Sequence, residues 1–171
     1  MALDVTPGGA ASDAYVSLTD ADAYHSAHGS AGWTGTDTEK EQAIRRATLW
    51  VDGHYQMRFA GAPTNGRSQA LQWPRSGVTD IDGLTVSETE IPREIVAATA
   101  EAALREIVVP DSLTPDFVKS SADIRREKVG EIEVSYGGVQ SAEDVQPVLT
   151  KVDQILKPLL TRRTLSGIMA V

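Results

Sequence analysis

His25 and His28 stand three residues apart, and Asp22 precedes them by one helical turn. On a helix these groups share a face, and two imidazoles with a carboxylate can hold zinc. The same residue types make an ordinary exposed polar helix face. The third histidine, His54, has no glutamate in an HExxH arrangement. With no cysteine in the chain, thiolate metal sites, thiol catalysis and disulfides are all ruled out. No metal and no cofactor are expected.

"TDIDG", residues 79–83, resembles part of a calcium loop. Aligned on Gly83, however, the first ligand position is Val78 and the closing one is Thr89. Both positions need acids, so calcium is rejected. No serine lies in a GxSxG elbow. Neither the phosphate-cradling P-loop nor the dinucleotide fingerprint is present. Glu88 and Glu90 read as charges at a helix start. Nothing here points to an enzyme, although a triad assembled through space would leave no local motif.

One unit fits single-stranded nucleic acid. Trp73 lies near Arg67 and Arg75, and stacking on an aromatic beside cations is how such strands are held. Its plainer reading is a tryptophan plug over a helical core. The surrounding stretch, "ALQWPRSGVTDIDG", looks built for shape. Pro74 favours extended geometry at Trp73. Gly77 and Gly83 permit turns closed to other residues. Asp80 and Asp82 suit local turn hydrogen bonds.

The elements that must position this loop are helical. Residues 1–12, rich in Gly, Ala, Thr and Pro, read as a flexible arm. "SLTDADAYHSAHG" predicts a first helix, capped by Thr19 with Asp22 and stopped at Gly29. "TDTEKEQAIRRATLWVDGHY" predicts a second, with Thr36 and Glu39 as a capping box and Ala43, Ile44, Ala47, Trp50, Val51 and Tyr55 facing inward. A long loop runs from about Arg58 to Glu90. Pro92 fits the first turn of a third helix, in which Ile91, Ile95, Ala98 and Ala102 share one face and Val96, Ala100, Ala103 and Ile107 a neighbouring one. Alternation around Gly130 and Glu131 predicts a β-hairpin, with Ile132, Val134 and Tyr136 on one side. A last amphipathic helix is expected from about Asp144 to Lys157, with Val145, Val148, Leu149, Val152, Ile155, Leu156 and Leu159 in its stripe. Pro158 should end it.

The expected fold is therefore mainly α. It is a small helical bundle with a long ordered loop, a β-hairpin, and a C-terminal helix followed by an extended tail. The division is an arm at 1–12, a core at 13–143, and a helix with tail at 144–171. At 171 residues the chain is long enough for one sizeable core. No apolar run reaches membrane-spanning length, and the N-terminus lacks signal-peptide character.

The net charge of −8 is segregated. Residues 53–79 carry three arginines and no acid, whereas residues 80–117 carry nine acids against two bases. Residues 151–171 carry four bases against one acid. A strong phosphate-binding surface does not fit an acidic body with only 5% aromatics.

"YVSLTDADAYHSAHG", "EKEQAIRRATLWVDGHY", "QALQWPRSGVTDIDG", "IPREIVAATAEAALRE" and "REKVGEIEV", in that order, carry a resemblance. Over Tyr15 to Tyr136 the chain resembles tailed-bacteriophage head–tail connector proteins, also called adaptor or head-completion proteins. Some relatives bear a DnaT-like single-stranded-DNA-binding label. The most specific part is the WPRSGV loop with its following DxDG.

The resemblance implies a virion protein that forms a homo-oligomeric, usually dodecameric, ring under the portal protein. The ring would lengthen the DNA channel and offer a surface to the next tail or stopper protein. DNA would pass through without specific binding. On this view Arg67, Trp73, Pro74, Arg75, Asp80 and Asp82 face a neighbouring subunit or the portal. The tail residues Leu159, Leu160, Arg162, Arg163, Leu165, Ile168, Met169 and Val171 dock on the portal. The alternative is a single-stranded-DNA-binding accessory protein. A hydrolase using His25, His28 and nearby acids is the third reading.

Overall fold

The computed structural model describes residues 2–115, 126–129, 132–135 and 148–161. Their architecture is mainly helical. The helices are α1 (Leu18–His28), α2 (Asp37–Tyr55), α3 (Arg93–Val108) and α4 (Thr150–Leu156), the last running into a 3-10 turn at Lys157–Leu159. Two short antiparallel ladders accompany them. β1 (Ala62–Pro63) pairs with β2 (Arg75–Ser76) inside the long loop, and β3 (Arg126–Val129) pairs with β4 (Ile132–Ser135) as the expected hairpin. The shared side predicted for Ile132, Val134 and Tyr136 lies outside the described side chains.

Local chemistry sets the helix ends. In α2, Glu39 N–H donates to Thr36 Oγ1 while Thr36 N–H donates to Glu39 Oε2, so the capping box closes as predicted. α1 corrects its expectation. Its cap is Ser17, whose Oγ accepts from Asp20 N–H at 3.1 Å, and Thr19 lies inside the helix. Asp22 is engaged elsewhere, by Trp33 Nε1–H at 2.6 Å and Lys40 Nζ at 2.8 Å. Gly29 closes α1 in the left-handed region at φ 63°. Pro92 is the residue before α3 rather than within its first turn.

α3 is the central helix, packed on α2 along one side and on α4 along the other, with α1 against α2 and α3. Ala43, Ala47, Ala98, Ala102 and Ala103 are fully buried, and such small side chains let helix axes approach closely. One core cluster runs from Ala14 to Leu159 and includes Val152 and Leu156 of α4. The boundary expected at 143/144 therefore separates no independent core.

Both chain ends differ from expectation. The flexible arm at 1–12 is tied down over its described residues. Leu3 and Val5 pack on the core, Asp13 N–H donates to Asp4 O, and Arg45 Nη2 donates to Ala2 O. Apolar side chains and paired backbone groups hold what glycine content suggested would be loose. At the other end, α4 begins at Thr150 because Leu149 leaves helical geometry (φ −89°, ψ 83°). Val148 is consequently 78% exposed and not part of the stripe. Val145 and the start expected at Asp144 lie outside the described residues.

Candidate functional site

The loop between α2 and α3 is ordered by its own polar atoms. Gln69 is buried, and its Nε2 donates to Leu71 O (2.7 Å) and Pro74 O (3.1 Å) while its Oε1 accepts from Asn65 N–H. Ala70 N–H donates to Gly9 O, and Asn65 Nδ2 donates to Gly8 O, so the N-terminal segment lies along the loop. The Trp73–Pro74 peptide bond is cis. Gly77 and Gly83 adopt the positive φ values that their turns require.

Trp73 is 1% exposed and stands edge-on to Phe59, with ring centroids 5.4 Å apart. Arg75 is 5% exposed. Its Nε donates to Ala60 O and its Nη2 to Gly61 O, each at 2.7 Å, and its Nη1 donates to Gln72 Oε1 at 3.0 Å. These placements correct the interface expectation for Trp73, Pro74 and Arg75. All three are buried within their own subunit. The buried guanidinium finds its partners in these backbone carbonyls, although its charge suggested a surface role. The stacking unit read from Trp73, Arg67 and Arg75 does not exist, because the indole has no open face.

Arg67, Asp80 and Asp82 are more accessible. Arg67 is exposed on the 3-10 turn Gly66–Ser68, and Asp82 is exposed at a loop tip. Asp80 Oδ1 accepts from the amides of Asp82 (2.9 Å) and Leu84 (2.8 Å), which is the predicted turn bond. Among the C-terminal residues, Leu159 is 3% exposed and Leu160 forms a β-bridge with Phe59, with Thr161 N–H donating to Arg58 O. The docking role expected of Leu159 and Leu160 is corrected: both complete this subunit's own core. Arg162, Arg163, Leu165, Ile168, Met169 and Val171 lie outside the described residues.

A buried polar node joins three segments, and sequence reasoning missed it. Tyr15 OH donates to Asp52 Oδ1, Trp73 N–H donates to Tyr15 OH, and Gln72 N–H donates to Asp52 Oδ2. Burial pushes the Asp52 carboxyl up to about 6, against the pull of the Tyr15 and Gln72 bonds and the Arg75 charge. Burial first, then the Asp52 charge, raises the Tyr15 phenol far above its ordinary value. Tyr15 and Asp52 are 37 residues apart, so no local spacing could have found them.

The histidine face forms no metal site. His25 is buried, with Nε2 against Ala100 O (3.1 Å) and Nδ1 against Ser30 Oγ (3.2 Å), and burial lowers its pKa. His28 Nδ1 meets Tyr24 O. Among the described residues no group of three or more His, Asp or Glu side chains is placed to hold a metal ion. No described helix is long and apolar enough to cross a membrane.

A family model described as "Putative DnaT-like ssDNA binding protein" matches residues 1–171. The chain belongs to that family. For this DnaT-like protein no curated protein and no solved structure gives a match. The DnaT-like label met in the sequence resemblance thus extends to the whole chain, including both ends.

Proposed function

We propose that this DnaT-like family member is a structural, non-enzymatic subunit of a phage head–tail connector. Copies would form a ring, dodecameric if it matches the portal, between the portal protein and the next tail or stopper component in the virion. DNA would pass through its channel without being specifically held. The observation that carries this reading is the use made of the WPRSG loop. Trp73 and Arg75, the side chains best suited to gripping a strand, instead brace the loop's own backbone. What the loop offers outward is a fixed shape with acids at its tip, and fixed shape is what a repeated subunit contact requires. The ordered resemblance to connector proteins supports the same reading.

The second reading is single-stranded-DNA binding, and the family's description favours it. Its physical requirement is an accessible aromatic within a basic groove. Trp50 and Tyr55 are buried like Trp73. The two readings part in two experiments. A gel shift with single-stranded oligonucleotides at physiological salt should show only weak binding. Electron microscopy of the protein with its cognate portal should show a ring beneath it. Tight, salt-resistant binding to the oligonucleotide, with no ring on the portal, would establish the second reading over the first.

A further inference from the structure

Asn65 is the one asparagine in the chain, and Gly66 follows it. A backbone nitrogen can attack the side-chain amide of the asparagine before it. It approaches most easily from glycine, where no Cβ stands in the way. Both residues are exposed at the start of the 3-10 turn. Gly66 stands at φ 55°, and a Cβ built on it would meet nothing within 4 Å, so no packed neighbour holds it. Among the described residues its N–H has no hydrogen-bond partner.

What restrains Asn65 is polar. Its Nδ2 donates to Gly8 O at 3.1 Å, its backbone N–H donates to Gln69 Oε1 at 2.9 Å, and its carbonyl accepts from Ser68 N–H at 3.0 Å. The first bond ties the N-terminal segment to the loop across 57 residues of chain. A second tie, from Ala70 N–H to Gly9 O, lies beside it. The fit at Gly8 is close. Gly8 adopts φ 68°, and a Cβ there would come within 2.7 Å of Asn65 Nδ2. With Asn65 at ψ 15°, the Gly66 nitrogen lies on the side of Asn65's own nitrogen and away from its side chain. Attack therefore requires Asn65 to turn about its Cα–C bond, and the Gly8 tie resists that turn.

We propose that Asn65 is a self-modification site: it deamidates when the Gly8 tie opens, and the product makes that release permanent. The inference does not depend on the connector reading. In the opened loop the Gly66 nitrogen gives its proton to a solvent base and bonds to Asn65 Cγ. The Cγ–Nδ2 bond breaks, and the side-chain nitrogen takes up a proton from water and leaves as ammonia. A five-membered succinimide remains. Water then adds to one of its two carbonyl carbons and breaks that carbon's bond to the Gly66 nitrogen. Opening at Cγ leaves aspartate, and opening at the backbone carbonyl leaves isoaspartate. The sum is one water consumed and one ammonia released, with no oxidation. Neither product has an Nδ2–H to donate, and the new carboxylate would set oxygen against the Gly8 carbonyl oxygen. Isoaspartate also adds a carbon to the backbone of a turn that the Gln69 and Ser68 bonds define.

Mass spectrometry of the full chain, aged in mildly alkaline buffer and then cut with trypsin, tests the site. The peptide Phe59–Arg67 should gain the mass that replaces NH2 by OH, and should split into aspartate and isoaspartate forms on chromatography. Asp52–Gly53 and Asp82–Gly83 can also isomerise, but without any gain in mass. Conversion should run slower in the folded protein than in the urea-unfolded chain. Gly8→Ala, which crowds Asn65 Nδ2, should speed it toward the unfolded rate. Asn65→Asp supplies the product without waiting for the reaction. In that variant hydrogen exchange at the Gly9 and Ala70 amides should quicken by roughly two- to tenfold, the effect of one lost hydrogen bond, while the α2 and α3 amides keep their protection. An unchanged Asn65 in folded protein, where the unfolded chain converts, overturns the site. Equal rates in the folded and unfolded chains, or no acceleration in folded Gly8→Ala, overturn control by the tie. Unaltered exchange in Asn65→Asp overturns the permanent release.

Discussion

Tyr15 OH donates to Asp52 Oδ1 at 2.5 Å, and the Tyr15 hydroxyl oxygen itself accepts from Trp73 N–H at 3.1 Å. One hydroxyl thereby links the residues leading into α1, the last turn of α2 and the WPRSG loop. Tyr15→Phe leaves Trp73 N–H without its acceptor and Asp52 without one donor. Each buried orphan costs about 1–3 kcal/mol. The loss should appear in denaturant unfolding as a lower midpoint with an unchanged slope.

Asp52 makes stability depend on pH in an unusual direction for a carboxylate. Its folded pKa is about 6, above the ordinary value of 3.8, chiefly through burial. The folded state therefore binds more protons than the unfolded state between those values. The contribution is fully present below about pH 4 and is lost as pH rises through 6. Asp52→Asn removes this dependence. Relative to wild type, the variant should gain stability from pH 4 to pH 7, by at most about 3 kcal/mol. Parallel stability curves for the two proteins over that range would count against the assignment.

Arg75 and Arg67 should behave oppositely despite equal charge. Arg75→Ala leaves the half-buried Ala60 carbonyl and the Gly61 carbonyl without their side-chain donor and should cost about 1–3 kcal/mol, since water can reach the exposed Gly61. Arg67 is exposed, so Arg67→Glu should change stability by less than about 0.5 kcal/mol. Arg67 alone can therefore report on assembly without disturbing the fold. Thermal melts of the two variants check the contrast.

Trp73→Ala should destabilise by roughly 3–5 kcal/mol, as large-to-small changes at fully buried aromatics do. Trp73→Phe should cost clearly less. The indole Nε1–H is buried without a hydrogen-bond partner among the described residues, so its removal breaks no bond. Equal losses from the two substitutions in calorimetry would contradict the packing described.

The described fold continues past Pro158 to Thr161, whose N–H donates to Arg58 O. Ending the chain after Thr161 keeps Leu159 and this bond. Ending it after Pro158 removes Leu159, which is 3% exposed, and should cost about 1.5–3 kcal/mol. Circular dichroism melts of the two truncations distinguish these outcomes, and only the longer one is suited to asking what residues 162–171 do on the portal.

Helices, the α2 cap and the hairpin were legible because their causes are local. The Thr36–Glu39 box lies within three residues, the α2 and α3 stripes repeat every turn, and Gly29 needs only its own φ. The loop's turn at Asp80 was readable for the same reason. Its destination was not. Whether Trp73 stacks on a ligand or plugs a core depends on Phe59, and whether Arg75 faces a neighbour or its own backbone depends on Ala60 and Gly61. Leu160 read as part of a free tail until its bridge to Phe59 placed it against the core. Burial is a property of packed segments and leaves no mark on the spacing of residues along the chain. For that reason the sequence by itself determined which segments are helical, while only the tertiary structure decided that Tyr15 meets Asp52 and that the most distinctive loop turns its arginine and tryptophan inward.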